Sequence, residues 1–318
     1  RRRSRSRGAN PHGRPALAEA GGDARAGKAA RSSRKTSAAQ LDPGDVPHFA
    51  WARGQKLGSA GRYVVRRKLG EGTFGRVLAC KDTETKDNVA VKVVKGVKRY
   101  CEHAQAEAEV LREILRCDPG RQSHCVQLKD TFLHPKRHFC LVFEHLDVSL
   151  RDFIKDGGAQ GLFAADVRSI AEQLLQCLSF LHAIGCVHTD LKCRNVLLRD
   201  SRHDTLPLPR CASGKHGGAA GEVVTAPKLR SCEIVVVDFG SALIEGERGK
   251  FCIGTRQFRA PEVILGLQWD EKVDMWSAGC LIAMAYLGDR LFPVREDMEH
   301  LALIERSTGR PVPPAMPR

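Results

Sequence analysis

Val187-His188-Thr189-Asp190-Leu191-Lys192-Cys193-Arg194-Asn195 fits the pattern H-x-D-L-K-x-x-N. That spacing is the one a phosphoryl-transfer loop uses: an Asp accepts the proton of an attacking hydroxyl, a Lys sits beside the transferred phosphate, and an Asn holds a metal ion. Asp190 and Lys192 are therefore the candidate catalytic groups and Asn195 a candidate metal ligand. The apolar Val196-Leu197-Leu198 that follows predicts a short strand anchoring the loop. Such a loop needs a nucleotide site ahead of it in the chain and a second metal ligand behind it.

Both are present in order. Behind the loop, Ile234-Val235-Val236-Val237-Asp238-Phe239-Gly240 reads as a buried strand ending in D-F-G, with Asp238 the second candidate ligand for magnesium. Ahead of it, a strand pattern from Tyr63-Val64-Val65 leads into Leu69-Gly70-Glu71-Gly72-Thr73-Phe74-Gly75-Arg76-Val77. G-x-G-x-x-G alone is a weak signal, and a dinucleotide-binding fingerprint would need a helix immediately after it. Here Val77 and Ala79 alternate with Leu78 and Cys80, and the turn-rich Lys81-Asp82-Thr83-Glu84-Thr85 follows. The pattern is strand, glycine loop, strand, which excludes that fold. Gly70, Gly72 and Gly75 let the backbone approach phosphates.

Asn88-Val89-Ala90-Val91-Lys92-Val93-Val94 predicts the next strand and carries a V-A-V-K match. A Lys inside an apolar strand costs free energy unless it is paired. The partner is expected on the helix predicted over 101–117, where Val110, Leu111, Ile114 and Leu115 repeat at helical spacing. Glu107 lies one turn before Leu111 on the same face and is chosen; Glu109 is the alternative, an exposed helix charge. His138 to Phe143 predicts a strand. A long amphipathic helix is predicted over 167–184, with Ile170, Leu174, Leu178 and Leu181 on one face and Gly185 as its stop. An apolar helix is expected over 274–286.

Four motifs in this order resemble the eukaryotic protein kinases. Gly254-Thr255-Arg256-Gln257-Phe258-Arg259-Ala260-Pro261-Glu262 closes the activation segment with A-P-E. His188-Thr189-Asp190, Val237-Asp238-Phe239-Gly240-Ser241-Ala242 and Arg99-Tyr100-Cys101-Glu102 are similar to the LAMMER (Clk-type) kinases of the CMGC group. Glu299-His300-Leu301-Ala302-Leu303-Ile304-Glu305-Arg306 resembles the signature E-H-L-A-M-M-E-R, with Leu303 and Ile304 replacing two Met of similar volume. The resemblance covers about residues 48–309.

It implies an α+β, two-lobed kinase fold: a small β-rich lobe over about 63–145 and a larger helical lobe from about 146. It implies ATP and magnesium as cofactors. Nucleotide contact would fall to Leu69, Gly70, Glu71, Gly72, Thr73, Phe74, Gly75, Arg76, Val77, Ala90, Lys92 and Glu107. Phe143 would stand at the back of the pocket, and Glu144 and Leu146 would lie in the hinge that pairs with adenine. It further implies dual specificity, Arg/Ser-rich splicing factors as protein substrates and a nuclear location. Two departures are visible. Gln257-Phe258 stands where the family has His-Tyr, and Cys193-Arg194 where Pro-Glu is usual. Thr189 replaces the Arg that greets an activation-loop phosphate, so activity is expected without obligatory phosphorylation of Thr255.

The chain opens on Arg and stops shortly after the octet, so it is expected to be a fragment with an incomplete C-terminal lobe, in which Glu262 lacks its Arg partner. A non-catalytic, kinase-like interaction module is the rival reading.

The bulk numbers agree with a globular protein. At 318 residues, 42% hydrophobic and 28% charged, there is ample chain for a core. No apolar run approaches the ~20 residues that span a bilayer, and no secretory h-region opens the chain. The 12 Cys form no C-x-x-C pair and are expected to be buried free thiols. The net charge of +14 is uneven: residues 1–60 hold 13 Lys and Arg against 4 Asp and Glu. Residues 1–47, rich in Arg, Ser, Ala and Gly, are expected to be a disordered tail, binding nucleic acid weakly if at all. His48-Phe49-Ala50-Trp51 is where the chain is expected to dock onto the domain. Residues 201–231, rich in Pro, Gly and basic side chains and without periodicity, are expected to be a long, mobile surface insert.

Overall fold

Alternation decides the first half of the chain. In strand β4 (Asn88–Val94), Val89, Val91 and Val93 enter one apolar core, while Ala90, Lys92 and Val94 face the other way. The computed structural model describes residues 46–135, 137–208, 224–244 and 252–313. The expected tail therefore lies almost wholly outside the described residues.

The N-terminal lobe is an antiparallel sheet of six strands in the order β1-β2-β3-β4-β6-β5. These are β1 (Lys56–Leu57), β2 (Tyr63–Gly72), β3 (Gly75–Asp82), β4, β5 (Leu128–His134) and β6 (His138–Glu144). The sheet starts at Lys56, earlier than the expected boundary near 63, and Phe49 is buried in its core with Leu57, Tyr63 and Val65. Helix α1 (Lys98–Cys117) crosses the other face, where Tyr100, Ala104 and Ala108 pack on Val94 and Leu141. Glu107 is buried on that same helix face, and Glu109 is exposed.

The C-terminal lobe is helical. Ser149 caps α2 (Leu150–Asp156), its Oγ accepting from the Asp152 N–H at 3.1 Å. In α3 (Ala164–Ala183), Val167, Ile170, Leu174, Leu178 and Leu181 are buried at helical spacing, and Gly185 follows at φ +72°. Strands β7 (Val196–Leu198) and β10 (Ile234–Val236) pair antiparallel, Val196 opposite Val236, and hold the catalytic loop against the D-F-G turn. After the short α4 (Pro261–Ile264), helix α5 (Lys272–Leu287) runs through the lobe core. It ends at Gly288 (φ +85°), where a Cβ would meet the Ala159 carbonyl at 1.9 Å. The octet lies on α6 (Asp297–Thr308), with His300 and Ile304 buried.

The ends of the surface insert are more ordered than its composition suggests. The ends of the 201–231 insert form a hairpin of β8 (His203–Pro207) and β9 (Thr225–Leu229). Ala226 and Leu229 are buried, and the buried Asp166 of α3 accepts from the Leu229 N–H at 3.2 Å and pairs with Lys228. The anchor is a carboxylate some 60 positions away, so composition could not show it; residues 209–223 lie outside the described residues. Eleven described cysteines are free, seven of them buried.

Candidate active site

Each strand brings one part of the site. Lys92 emerges from β4 on the face opposite the valine core and donates to both Glu107 oxygens at 2.9 and 2.8 Å. It also donates to Asp238 Oδ1 at 3.2 Å. Burial alone would lower the Lys92 ammonium, but Glu107 and Asp238 hold it above its ordinary value. Burial pushes the Glu107 carboxyl up against the pull of Lys92. Burial also acts to raise Asp238, but there Lys92 outweighs it and the carboxyl stays below its ordinary value. Asp238 is 49% exposed, so an ionised carboxylate is open to the cleft. Its backbone is left-handed (φ 67°, ψ 67°), which turns it out of strand β10.

The catalytic loop is joined to this cluster without a break. The Val237 N–H donates to the Asn195 carbonyl at 2.9 Å. Asn195 Nδ2 donates to the Asp190 carbonyl at 2.9 Å. Lys192 pairs with the Asp190 carboxylate and donates to Thr255 Oγ1 at 3.0 Å. Thr255 in turn donates its N–H (2.9 Å) and hydroxyl (2.7 Å) to Asp190 Oδ1.

The glycine loop is the hairpin turn between β2 and β3, with Gly70 opposite Val77, Glu71 opposite Arg76 and Gly72 opposite Gly75. A Cβ on Gly70 or Gly72 would meet nothing within 4 Å, whereas on Gly75 it would strike the Val93 carbonyl at 2.4 Å. Gly75 is thus needed for packing, and Gly70 and Gly72 leave open space beside backbone, where phosphate oxygens fit. Thr73 and Phe74 are exposed at the tip, Phe74 edge-on to Tyr100 at 5.2 Å. Arg76 holds the Glu71 carboxylate at 2.7 Å, so these two side chains shape the loop. Ala90 is buried opposite Phe143 in the sheet, and Leu69 and Val77 are half-buried in β2 and β3. In the hinge Leu146 is buried, and the Glu144 carboxylate is taken by Arg199 (2.6 Å) and the Gln127 N–H (3.1 Å). Glu144 therefore has only backbone to offer a base. The donor set fits its expected ligands: Asp238 and Asn195 are oxygen donors suited to a hard divalent cation, and the Lys92 ammonium suits phosphate.

Sequence reasoning gave no role to Asp274 or Arg259. Asp274, fully buried on α5, accepts from the His188 N–H (2.8 Å) and the Thr189 N–H (2.9 Å) and bonds His182 Nε2 at 3.1 Å. Its only signal is an Asp within an apolar helix. Thr189, at φ +67°, also donates its hydroxyl to the Ser241 carbonyl at 2.7 Å. Arg259 donates to the Ile253 and Gly254 carbonyls, both at 3.0 Å, and so sets the approach of Thr255. Among the described residues Glu262 forms no ion pair.

The protein kinase domain family matches residues 63–311. The chain belongs to the protein kinase family. This kinase domain is 38% identical over 269 residues to the dual specificity protein kinase KNS1 of Saccharomyces cerevisiae, covering 84% of this chain and 36% of that one. It is 40% identical to the serine/threonine-protein kinase AFC2 of Arabidopsis thaliana (85% and 61%) and 40% to the dual specificity protein kinase CLK1 of Homo sapiens (80% and 50%). The LAMMER resemblance of the sequence is thus shared along most of the kinase domain. A crystal structure of a kinase domain superposes with a TM-score of 0.77 at 37% identity, covering 85% of this chain and 76% of the other. The chain spans about a third to three fifths of the length of these curated relatives.

Proposed function

We propose that the protein is an ATP-dependent protein kinase that phosphorylates Ser and Thr hydroxyls, with magnesium as its metal. The observation that carries this reading is the chain of bonds from Glu107 through Lys92 to Asp238 and, by way of the N–H of the adjoining Val237, on to Asn195, Asp190, Lys192 and Thr255. A non-catalytic interaction module has no use for that whole set.

Lys92, held by Glu107, orients the nucleotide phosphates, and the backbone of residues 70–75 covers them. Asp238 and Asn195 would hold the cation, which when bound neutralises phosphate charge. Asp190, fixed by Thr255, accepts the proton of the attacking hydroxyl. The hydroxyl oxygen forms its bond to the γ-phosphorus as the bond from phosphorus to the bridging oxygen of the leaving diphosphate breaks. Lys192 steadies the charge between them. Positioning and electrostatics supply the rate.

The finer reading is that the substrates are Arg/Ser-rich proteins, met in the nucleus, with Tyr phosphorylated only on the enzyme itself. Its support is the octet on α6 with the family resemblance it carries and, for dual specificity alone, the names of the relatives above. Labelled ATP tests it with an Arg/Ser-repeat peptide and the same peptide with Arg replaced by Ala. Preference for the repeat is expected; equal labelling of the two sinks the substrate class while leaving the kinase reading intact.

A further inference from the structure

We propose that residues 46–52 form a strap that positions the glycine-rich loop for nucleotide, with Phe49 as its anchor and Arg76 as its link. Phe49 is buried in the β-sheet core. Its ring meets His134 and His138 edge-on at 5.7 and 5.2 Å, which ties it to strands β5 and β6. His138 is itself tied to the Val94 carbonyl through Nδ1 at 2.7 Å. From this fixed point the strap reaches the loop. Arg76 Nη1 donates to the Phe49 carbonyl at 2.8 Å, while Arg76 Nε donates to Glu71 at 2.7 Å. On the other side of that carboxylate, His48 Nε2 stands 3.6 Å from Glu71 Oε1. One guanidinium thus bridges the strap and both strands of the loop.

The loop needs such support. Gly70 and Gly72 give the backbone freedom to approach phosphate, and the same freedom costs order in the absence of ligand. Besides the sheet pairing of Gly72 with Gly75 and of Gly75 with Val94, the loop tip is held by the Lys95 N–H to the Phe74 carbonyl (2.8 Å) and the Phe74–Tyr100 ring edge. The strap adds a brace at the Glu71–Arg76 pair, one step back from the tip. Pre-ordering a binding loop improves affinity by lowering the entropy lost on binding. The positioning role is therefore on ATP binding, and rests on the kinase reading above.

The test compares Phe49→Ala, Phe49→Leu, Arg76→Lys and Val142→Ala in the full chain. Val142 lies in the same core but on β6, and serves as a control for lost core volume. Two readouts are taken: hydrogen exchange at the amides of residues 70–75 without ligand, and the Kd of a fluorescent ATP analogue with magnesium. Phe49→Ala, which frees the segment carrying the acceptor carbonyl, and Arg76→Lys, which gives up the second guanidinium hydrogen bond, are expected to speed loop exchange and to weaken analogue binding about fivefold, the worth of one ordinary hydrogen bond. Phe49→Leu is expected to restore most of both. Val142→Ala is expected to lower the melting temperature with loop exchange as in the parent. Loop exchange unchanged in Arg76→Lys, or equally fast in Val142→Ala, would overturn the strap. Analogue binding absent from the parent itself would instead overturn the nucleotide reading, and the exchange arm would still decide the strap.

Discussion

Thr255 binds Asp190 twice, its backbone N–H and its hydroxyl both donating to Oδ1 at 2.9 and 2.7 Å. Lys192 donates to the same hydroxyl. The oxygen that a modifying phosphate would need is therefore committed to holding the catalytic carboxylate. Thr255→Val keeps the shape and removes the hydroxyl; kcat is expected to fall by roughly 10²-fold, the size of a small misplacement of a reacting group. Thr255→Ser is expected to stay near the parent. Phosphatase-treated enzyme is expected to keep its activity, and loss of activity on that treatment would refute the positioning role.

Asp274 acts on the other side of the loop. It satisfies two buried N–H groups, one of them on Thr189, a β-branched residue in left-handed backbone. Asp274→Ala leaves both unpaired and the strained turn unsupported. Urea unfolding is expected to show a loss of about 3 kcal/mol or more, with kcat falling alongside. A variant as stable as the parent would mean the turn holds itself.

The glycines separate packing from binding. Gly75→Ala drives a methyl into the Val93 carbonyl, and thermal melting should report a cost of about 1–3 kcal/mol. Gly72→Ala meets only open space and should change stability by less than about 0.5 kcal/mol, yet raise the KM for ATP. If Gly72→Ala binds ATP as well as the parent, phosphates do not lie beside that loop.

Acid dependence can be assigned to one pair in the sheet. The Arg62 guanidinium, bidentate on Asp82 at 2.8 to 3.1 Å, holds that carboxyl down to about 2. A depressed folded value stabilises above the unfolded value of about 4 and is lost as pH falls through the folded one. Arg62→Met should thus cost about 1–2 kcal/mol at pH 6, and the difference should shrink as pH falls from 4 to 2. A gap as large at pH 2 as at pH 6 would point to lost packing instead of charge.

Local signals carried most of the fold. Strand β4 shows its two faces by alternation, and one helical turn between Glu107 and Leu111 was enough to choose the partner of Lys92. What stayed hidden depends on contacts between distant positions. Asp274 reads as an acid in an apolar helix until the fold brings it to residues 188 and 189. The β8–β9 hairpin was masked by Pro227 and a basic composition, and its anchor Asp166 sits on another element. Thr255 shows in the sequence only as a position whose phosphorylation is not obligatory, because its bond to Asp190 spans 65 residues.

The most direct measurement is transfer of labelled phosphate from ATP to an Arg/Ser-rich peptide by this chain and by Asp190→Asn. Asn keeps the size of the side chain and can still accept from Thr255, but it cannot take a proton. Labelling by the parent and a loss of at least ~10²-fold in the variant are expected. Equal labelling by both would show that Asp190 is not the base, and the assignment of the site would fall.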